Sequence, residues 1–185
     1  MIADWIKEWA IPLSAGATFL LALAAFWAIW QNKRIQKRNR RERLLNEIIE
    51  WATNVAKCGI EPDTPELSED KDASKAWPFL ATQERKLETL QLLRAKSVSV
   101  TRTAQKIGSD LQAAVFDSVE HLRNQIKSLY EYKRFTQEFK DKKRGTDIDF
   151  LTTTAKEVIT NNKLLYNSAV KVIEEAIKIK TRDIS

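Results

Sequence analysis

Side chains that commonly act in catalysis or metal binding are scarce in this chain. His121 is the only histidine and Cys58 the only cysteine among its 185 residues. With one of each, neither an internal disulfide nor a zinc site made of several cysteines and histidines can form. The sequence also lacks a glycine-rich phosphate loop and a nucleophile elbow. We therefore expect no enzyme activity, no cofactor and no bound metal.

The remaining reactive groups favour structural roles. Glu174 and Glu175 are not followed by a histidine at the spacing that a di-iron site in a helical bundle requires. His121 adjoins Leu122 in a helical pattern, which is typical of a partly exposed structural histidine. No basic cluster surrounds Cys58 in the sequence, so we expect a packed, unreactive thiol.

The most distinctive chemistry is a block of positive charge at residues 33–43. The block has seven basic residues and one acid, Glu42, whereas the rest of the chain carries 24 basic and 24 acidic residues. Such a block beside a membrane attracts anionic lipid headgroups and keeps its side of the membrane cytoplasmic. The candidate lipid-binding and topology residues are Lys33, Arg34, Lys37, Arg38, Arg40, Arg41 and Arg43.

Nucleic-acid binding through residues 33–43 is the less favoured alternative for this block. A nucleic-acid-binding domain is expected to spread positive charge over one face of its fold. Here the net charge of +6 comes from one short stretch.

An apolar stretch directly precedes the basic block and predicts the element that positions it. Residues 11–30 contain no charged side chain, and a helix of 20 residues spans about 30 Å, which matches the hydrocarbon core of a bilayer. Tryptophans, which favour the headgroup region, lie at both ends of the stretch: Trp5, Trp9, Trp27 and Trp30. The sequence therefore predicts one uncleaved transmembrane helix, a signal-anchor.

The position of the basic block predicts the orientation of that helix. Because lysine and arginine next to a span stay on the cytoplasmic side, we expect the short N-terminus outside and residues 31–185 inside the cell membrane. Four small residues share one face of the span and predict self-association: Ser14, Thr18, Ala22 and Ala25.

Residues 44–185 carry the helical periodicity of a bundle. Apolar residues recur every three or four positions up to about residue 57 and then over 82–107, 110–143 and 148–179. Glycines 59, 108 and 145 fall at the ends of these patterns, where we expect backbone that only glycine adopts readily. Residues 59–79 contain three prolines and six acids and predict an irregular acidic loop. A break at Gly108 is expected, with Ser109 capping the next helix, although one fused helix is the alternative.

Asn162 is the single polar residue in the apolar seam of the last pattern. A buried asparagine usually sets register or oligomeric state at a cost in stability, so we predict a hydrogen-bond partner for it.

These patterns together predict an all-α protein: a short outer N-terminus and transmembrane helix (residues 1–30, with the span at about 11–30), a polybasic juxtamembrane helix (31–43) and a cytoplasmic antiparallel helical bundle with coiled-coil character (44–185). The expected function is a non-enzymatic scaffold, adaptor or oligomeric interaction module on the cytoplasmic membrane face. An oligomeric pore-forming or membrane-perturbing effector is the alternative. Expected partners are anionic lipids and either further copies of the chain or another protein; the sequence identifies no small-molecule ligand.

Overall fold

The computed structural model is entirely helical over the residues that it describes. The backbone is described for residues 2–59, 73–142 and 148–182, and the side chains for residues 16–59, 75–138 and 148–182. Five helices account for this part of the chain, and it contains no strand. They are α1 (Ile2–Gly59), α2 (Ala73–Arg85), α3 (Leu87–Ile107), α4 (Ser109–Lys142) and α5 (Ile148–Arg182).

The chain divides into two compact units, residues 1–43 and residues 44–185. The first unit is the N-terminal part of α1. The second contains the C-terminal turns of α1 together with α2 to α5, and these helices share one hydrophobic core.

Antiparallel packing of α4 against α5 forms the centre of the second unit. The side chains of Gln125 and Asn162 are hydrogen-bonded, and further along α4 the ring of Phe135 stacks on that of Phe150 at 3.9 Å. Residue numbers rise on one helix as they fall on the other, so the two helices run in opposite directions. The apolar seam of α5 is buried from Leu151 to Ala176, as its spacing predicts.

The other helices pack around this pair. Helix α3 pairs with α4, where the Gln91 and Tyr130 side chains are hydrogen-bonded. The last turns of α1 lie against α3 and α5: the Trp51 indole donates to the backbone carbonyl of Leu93 at 3.0 Å, and Lys180 donates to Asn46 at 3.1 Å. The predicted antiparallel helical bundle is therefore present, and its seams close within one chain.

The irregular segment predicted at residues 59–79 extends too far toward the C-terminus. Helix α2 begins at Ala73 and includes Pro78, although proline removes one hydrogen bond from a helix interior. Ala76, Phe79 and Leu80 are buried, and their helical spacing places them on one face. Tertiary burial of that face compensates for the proline. Residues 60–72 of the predicted loop lie outside the described residues.

The predicted helix at 82–107 is divided at Lys86. Its amide donates to the carbonyl of Gln83 at 3.0 Å, a three-residue turn, and its own carbonyl accepts from Leu90 at 2.9 Å. The helical ladder is therefore interrupted at a single residue that no proline or glycine marks in the sequence.

The predicted break at Gly108 is confirmed, but its geometry differs from the expectation. Gly108 is extended, with φ 173° and ψ 157°, a conformation open to any residue. Its carbonyl accepts from the amide of Gln112 at 3.1 Å, so Gly108 and not Ser109 holds the N-cap position of α4. Gly145 lies outside the described residues.

Gly59 is also not in the left-handed conformation that its predicted role as a helix-end glycine requires. Instead it allows close approach of α1 to α5. A Cβ atom built at Gly59 would lie 2.8 Å from the backbone oxygen of Asn162 and 2.9 Å from the backbone nitrogen of Tyr166. Glycine is needed here because two helix backbones nearly touch.

The transmembrane helix predicted at residues 11–30 is not supported by the structure. Over the part of the chain that is described, no helix has a stretch long and apolar enough to cross a membrane. The side chains of residues 11–15, where the predicted span begins, lie outside that part.

Candidate functional site

Residues 16–30 of α1 expose apolar side chains on every face of the helix. All residues from 16 to 30 are exposed, and 15 consecutive residues make about four helical turns. The exposed large side chains are Phe19, Leu20, Leu21, Leu23, Phe26, Trp27, Ile29 and Trp30.

The predicted small-residue face is exposed as far as it is described. Thr18, Ala22 and Ala25 lie on the surface of α1. The side chain of Ser14, like those of Trp5 and Trp9, lies outside the described residues. Self-association through this face stays a prediction.

The basic block continues the same helix without interruption. Its seven lysine and arginine side chains are all exposed, and so is Glu42. The guanidinium carbon of Arg34 lies 5.6 Å from the ring centroid of Trp30, within the range of a cation–π interaction. This contact joins the basic block to the aromatic end of the apolar stretch, and both types of side chain suit a membrane–water interface.

Inside the bundle, three side-chain amides from three helices form a buried polar layer. Gln125 of α4 donates from Nε2 to Oδ1 of Asn162 at 2.8 Å. Asn162 of α5 donates from Nδ2 to Oε1 of Gln83, in α2, at 3.3 Å. Asn162 is 5% exposed, Gln83 is 1% exposed and Gln125 is fully buried. We call these three residues the amide layer; it supplies the hydrogen-bond partners that the sequence predicts for Asn162.

The amide layer is incompletely paired. Nε2 of Gln83 and Oε1 of Gln125 are buried and have no hydrogen-bond partner among the described residues. Unpaired buried polar atoms are uncommon because each loses its hydration without replacement. The two unpaired atoms are expected to cost stability, and the two hydrogen bonds tie α2 and α4 to α5.

Polar contacts extend the layer toward the protein surface between α4 and α5. Ser128 is buried, donates to Glu157 Oε1 at 3.0 Å and accepts from Asn161 Nδ2 at 2.8 Å. These contacts lie beside the α5 seam and link α5 to α4.

Sequence reasoning missed Gln83 and Gln125. Gln83 completes a helical spacing with Ala76 and Leu80, but that stretch was expected to be mostly irregular. Gln125 directly precedes Ile126 of the α4 seam, so it sits beside the apolar stripe. Glutamines at such positions are common on exposed surfaces, and only helix packing distinguishes these two.

Cys58 and His121 occupy positions that suit structural roles. Cys58 is buried, and burial raises the pKa of its thiol while the nearby positive charge of Lys86 partly opposes the rise. Nε2 of His121 lies 3.5 Å from Asp117 Oδ1, one helical turn away. No cluster of three or more potential metal-binding side chains occurs among the described residues.

Comparisons with protein-family models, with curated proteins and with solved structures find no match to this chain.

Proposed function

We propose that this protein is anchored in the cell membrane by one N-terminal helix. Its bundle, residues 44–185, acts on the cytoplasmic face as a non-enzymatic scaffold, adaptor or oligomeric interaction module. The observation that carries the proposal is the run of exposed apolar side chains over residues 16–30, followed at once by the exposed basic block.

Exposure on every face favours a lipid environment over a protein partner. A helix that packs on one partner has an apolar stripe and a polar remainder, whereas a helix that is apolar all round belongs in a protein core or a membrane. Each large apolar side chain gains about 1.5–3 kcal/mol when it is fully removed from water. Eight such side chains are exposed here, and a bilayer covers all of them together.

The basic block supports both the anchoring and the orientation. Its first lysine follows Trp30 by three residues, so the charges begin where the apolar stretch ends. Each basic side chain near an anionic membrane surface contributes about 1 kcal/mol of attraction. Residues on this side of the span remain cytoplasmic under the positive-inside rule.

The apolar seams of the bundle close within one chain, so they are not available for coiled-coil pairing between copies. This favours an interaction role for the surface of the bundle. The seams of α3, α4 and α5 are buried within one chain, and the amide of Asn162 bonds to Gln83 and Gln125 of the same chain. Copies of the protein would therefore associate through the small face of the N-terminal helix, while the bundle surface remains available to other proteins.

Membrane extraction tests the proposal. The full-length protein is expected to resist alkaline carbonate and to float with liposomes. Leu21→Arg places a charge in the middle of residues 11–30, where it costs about 2.5–3.5 kcal/mol in a membrane helix, so the protein should shift to the soluble fraction. Leu92→Arg is the matched control, because Leu92 is 61% exposed on α3 and should leave fractionation unchanged. Recovery of the wild-type protein in the soluble fraction would disprove anchoring.

The exposed small face of α1 favours a second candidate, an oligomeric pore or membrane-perturbing effector. Thr18, Ala22 and Ala25 let several helices approach closely. Dye leakage from liposomes at protein concentrations that saturate binding separates the two functions. A scaffold leaves the liposomes sealed, whereas a pore releases the dye in proportion to bound protein.

A further inference from the structure

Exposed aromatic side chains form a line along one side of α4. Phe116 is 60% exposed and Tyr130 is 46% exposed, and Arg123 lies midway between them in the sequence. Side chains one heptad apart are separated by about two helical turns and fall on the same side of a helix. Two large aromatic side chains and one arginine therefore face solvent along a single line of α4.

Helix α3 supplies the other side of the same surface. Gly108 alone separates α3 from α4, so the two helices run antiparallel, and Gln91 of α3 is hydrogen-bonded to Tyr130 of α4. One heptad further along α3, Val98 is 58% exposed, and this register places it level with Arg123. The exposed lines of both helices therefore share the heptad spacing by which helices pack in bundles.

The charge on the α3 side of this surface is positive. Residues 89–107 contain four basic side chains and no acid, and all four are exposed. Two of them, Arg94 and Arg102, lie one helical turn before and after Val98, so they flank it on the same side of the helix. Residues 44–185 as a whole are nearly neutral, with 23 basic and 22 acidic residues. Helix α3 therefore carries a local excess of positive charge.

The arginines of this surface lack a counter-charge in the described part of the chain. Arg94, Arg102 and Arg123 form no ion pair with another described residue, whereas Nζ of Lys127, also on α4, lies 3.8 Å from Glu131 Oε1. Guanidinium groups pair well with carboxylates, including those of another molecule. We call the surface made by Val98, Phe116, Tyr130 and these three arginines the α3–α4 face.

The pattern of the α3–α4 face selects a helix among its possible occupants. A helix laid along both lines would meet apolar side chains and arginines at its own heptad spacing. A second copy docked through the same face would bring arginine against arginine in a symmetric dimer. A lipid surface requires an apolar stripe over successive turns, and α3, whose side chains are described throughout, contributes only Val98 to this face.

We propose that the α3–α4 face binds an acidic amphipathic helix of another protein. The apolar stripe of that helix packs on the apolar side chains of the face, and its carboxylates pair with the three arginines. Glu120 is an exposed acid one turn after Phe116, so the carboxylates of the partner concentrate on the α3 side. This proposal rests on the interaction role proposed for the bundle and names the chemistry of the partner.

The test is a titration of a labelled synthetic helix with the full chain in maltoside, followed by fluorescence anisotropy. The peptide has about three heptads with leucine at the first and fourth positions of each and glutamate on both sides of the leucines. A second peptide carries lysine in place of every glutamate, so its apolar content is identical. The acidic peptide is expected to bind with a dissociation constant of about 10–100 μM, and the basic peptide about tenfold more weakly.

Charge reversal of the three arginines should exchange the preference for the two peptides. In Arg94→Glu/Arg102→Glu/Arg123→Glu, the acidic peptide is expected to bind about tenfold more weakly and the basic peptide about tenfold more tightly. The matched control reverses three exposed lysines of α5, which changes the net charge equally but away from the face, and the preference for the acidic peptide should remain. These lysines are Lys156, Lys163 and Lys171.

The basic block at residues 33–43 competes for an acidic peptide, and it is unchanged in both triple variants. Its contribution is the affinity for the acidic peptide that remains after the three arginines are reversed. If that affinity equals the wild-type value, the peptide binds at the block and the proposal is wrong.

The apolar part of the face is tested with a matched pair of exposed side chains. Phe116→Ser is expected to weaken binding of the acidic peptide about tenfold. Leu92→Ser should leave the affinity unchanged. Leu92 is 61% exposed, but it lies six positions before Val98 and therefore about 120° away around α3. Equal losses in the two variants would show that the face is not where the peptide packs.

Other occupants would give different results, each of which would overturn the proposal. Equal affinity for the two peptides would show that charge is not recognised. Displacement of the acidic peptide by a single-stranded oligonucleotide, or by phosphatidylglycerol added to the micelles, would assign the arginines to nucleic acid or to lipid. A lower native mass of Phe116→Ser than of the wild type would assign the face to a second copy of the chain.

Peptide binding and membrane anchoring are measured separately. A protein that leaves the membrane fraction but binds the acidic peptide would refute the anchoring alone. A protein that stays in the membrane fraction but does not bind the peptide would refute the docking face alone. Every substituted side chain is exposed, and far-UV circular dichroism establishes that each variant is folded.

Discussion

The amide layer predicts that Asn162→Leu has opposite effects on the free energy of unfolding in two backgrounds, the wild type and a variant without the two glutamines. Asn162→Leu removes the acceptor of Gln125 Nε2 and the donor to Gln83 Oε1. Each newly unpaired buried group costs about 1–3 kcal/mol, while the added apolar burial returns about 1.5–3 kcal/mol. Since the other amide atoms of both glutamines are already unpaired, the free energy of unfolding should fall by about 1–3 kcal/mol.

The same change should stabilise a bundle in which both glutamines are methionine. In Gln83→Met/Gln125→Met, the Asn162 amide keeps neither of its side-chain partners, and leucine then replaces an orphaned polar group. Asn162→Leu in that background should raise the free energy of unfolding by about 1–3 kcal/mol, because apolar replacement of a complete polar set is neutral or favourable. The triple variant is expected to be at least as stable as the wild type.

Urea unfolding of the full chain in maltoside, followed by far-UV circular dichroism, measures all four corners of this cycle. Asn167→Leu is the control, since Asn167 is exposed on α5 and the same substitution there should change stability by less than about 0.5 kcal/mol. An effect of equal sign and size in both backgrounds would show that the three amides do not act as a unit.

Three further predictions concern the last turns of α1. Gly59→Ala should lower the free energy of unfolding by about 1–3 kcal/mol in urea, because its Cβ would meet the backbone of Asn162 at 2.8 Å. Trp51→Phe should cost about 1–2 kcal/mol in the same assay, since it removes the buried hydrogen bond to Leu93. Burial raises the pKa of Cys58 above its ordinary value of 9.0, so the folded state keeps the thiol proton to a higher pH than the unfolded state does. The free energy of unfolding should therefore fall as the pH rises above 9.0. The fall should be smaller in Cys58→Ala.

Each of these predictions has a contrasting measurement. Gly108→Ala meets open space, so it should lose clearly less stability than Gly59→Ala; equal losses would argue against the close approach of α1 and α5. Full stability in Trp51→Phe would mean that the indole hydrogen bond contributes nothing net. If Cys58→Ala shows the same alkaline loss as the wild type, other groups govern it, and the raised pKa of Tyr132 is the next one to test.

Much of the helical content follows from local pattern. Apolar spacing predicted the ends of the last helix to within a few residues, and most of its seam is buried, because side chains three or four positions apart share a face whatever the helix packs against. The two ends of the seam are the exceptions: Ile148 is 55% exposed, and Ile179 is only partly buried. Periodicity assigns a face, but it does not say whether a neighbouring helix reaches the end of that face.

The start of α2 could not be predicted in the same way. The prolines and acids of residues 59–79 favour an irregular chain locally, and Pro78 weakens a helix that includes it. Burial of Phe79 and Leu80 outweighs that preference only after α4 and α5 provide a surface. The break at Lys86 similarly has no local signal.

The sequence by itself determined the all-helical class, the nearly neutral bundle and the isolated basic block after an apolar stretch, because these depend on residue type and on spacing along one helix. The sequence also predicted a membrane span, which the described part of the structure does not support. Only the tertiary structure brought Gln83 and Gln125 to Asn162 and Gly59 to the α5 backbone. Those pairs are separated by many residues in the chain, and their contact depends on how helices cross, which no local pattern encodes.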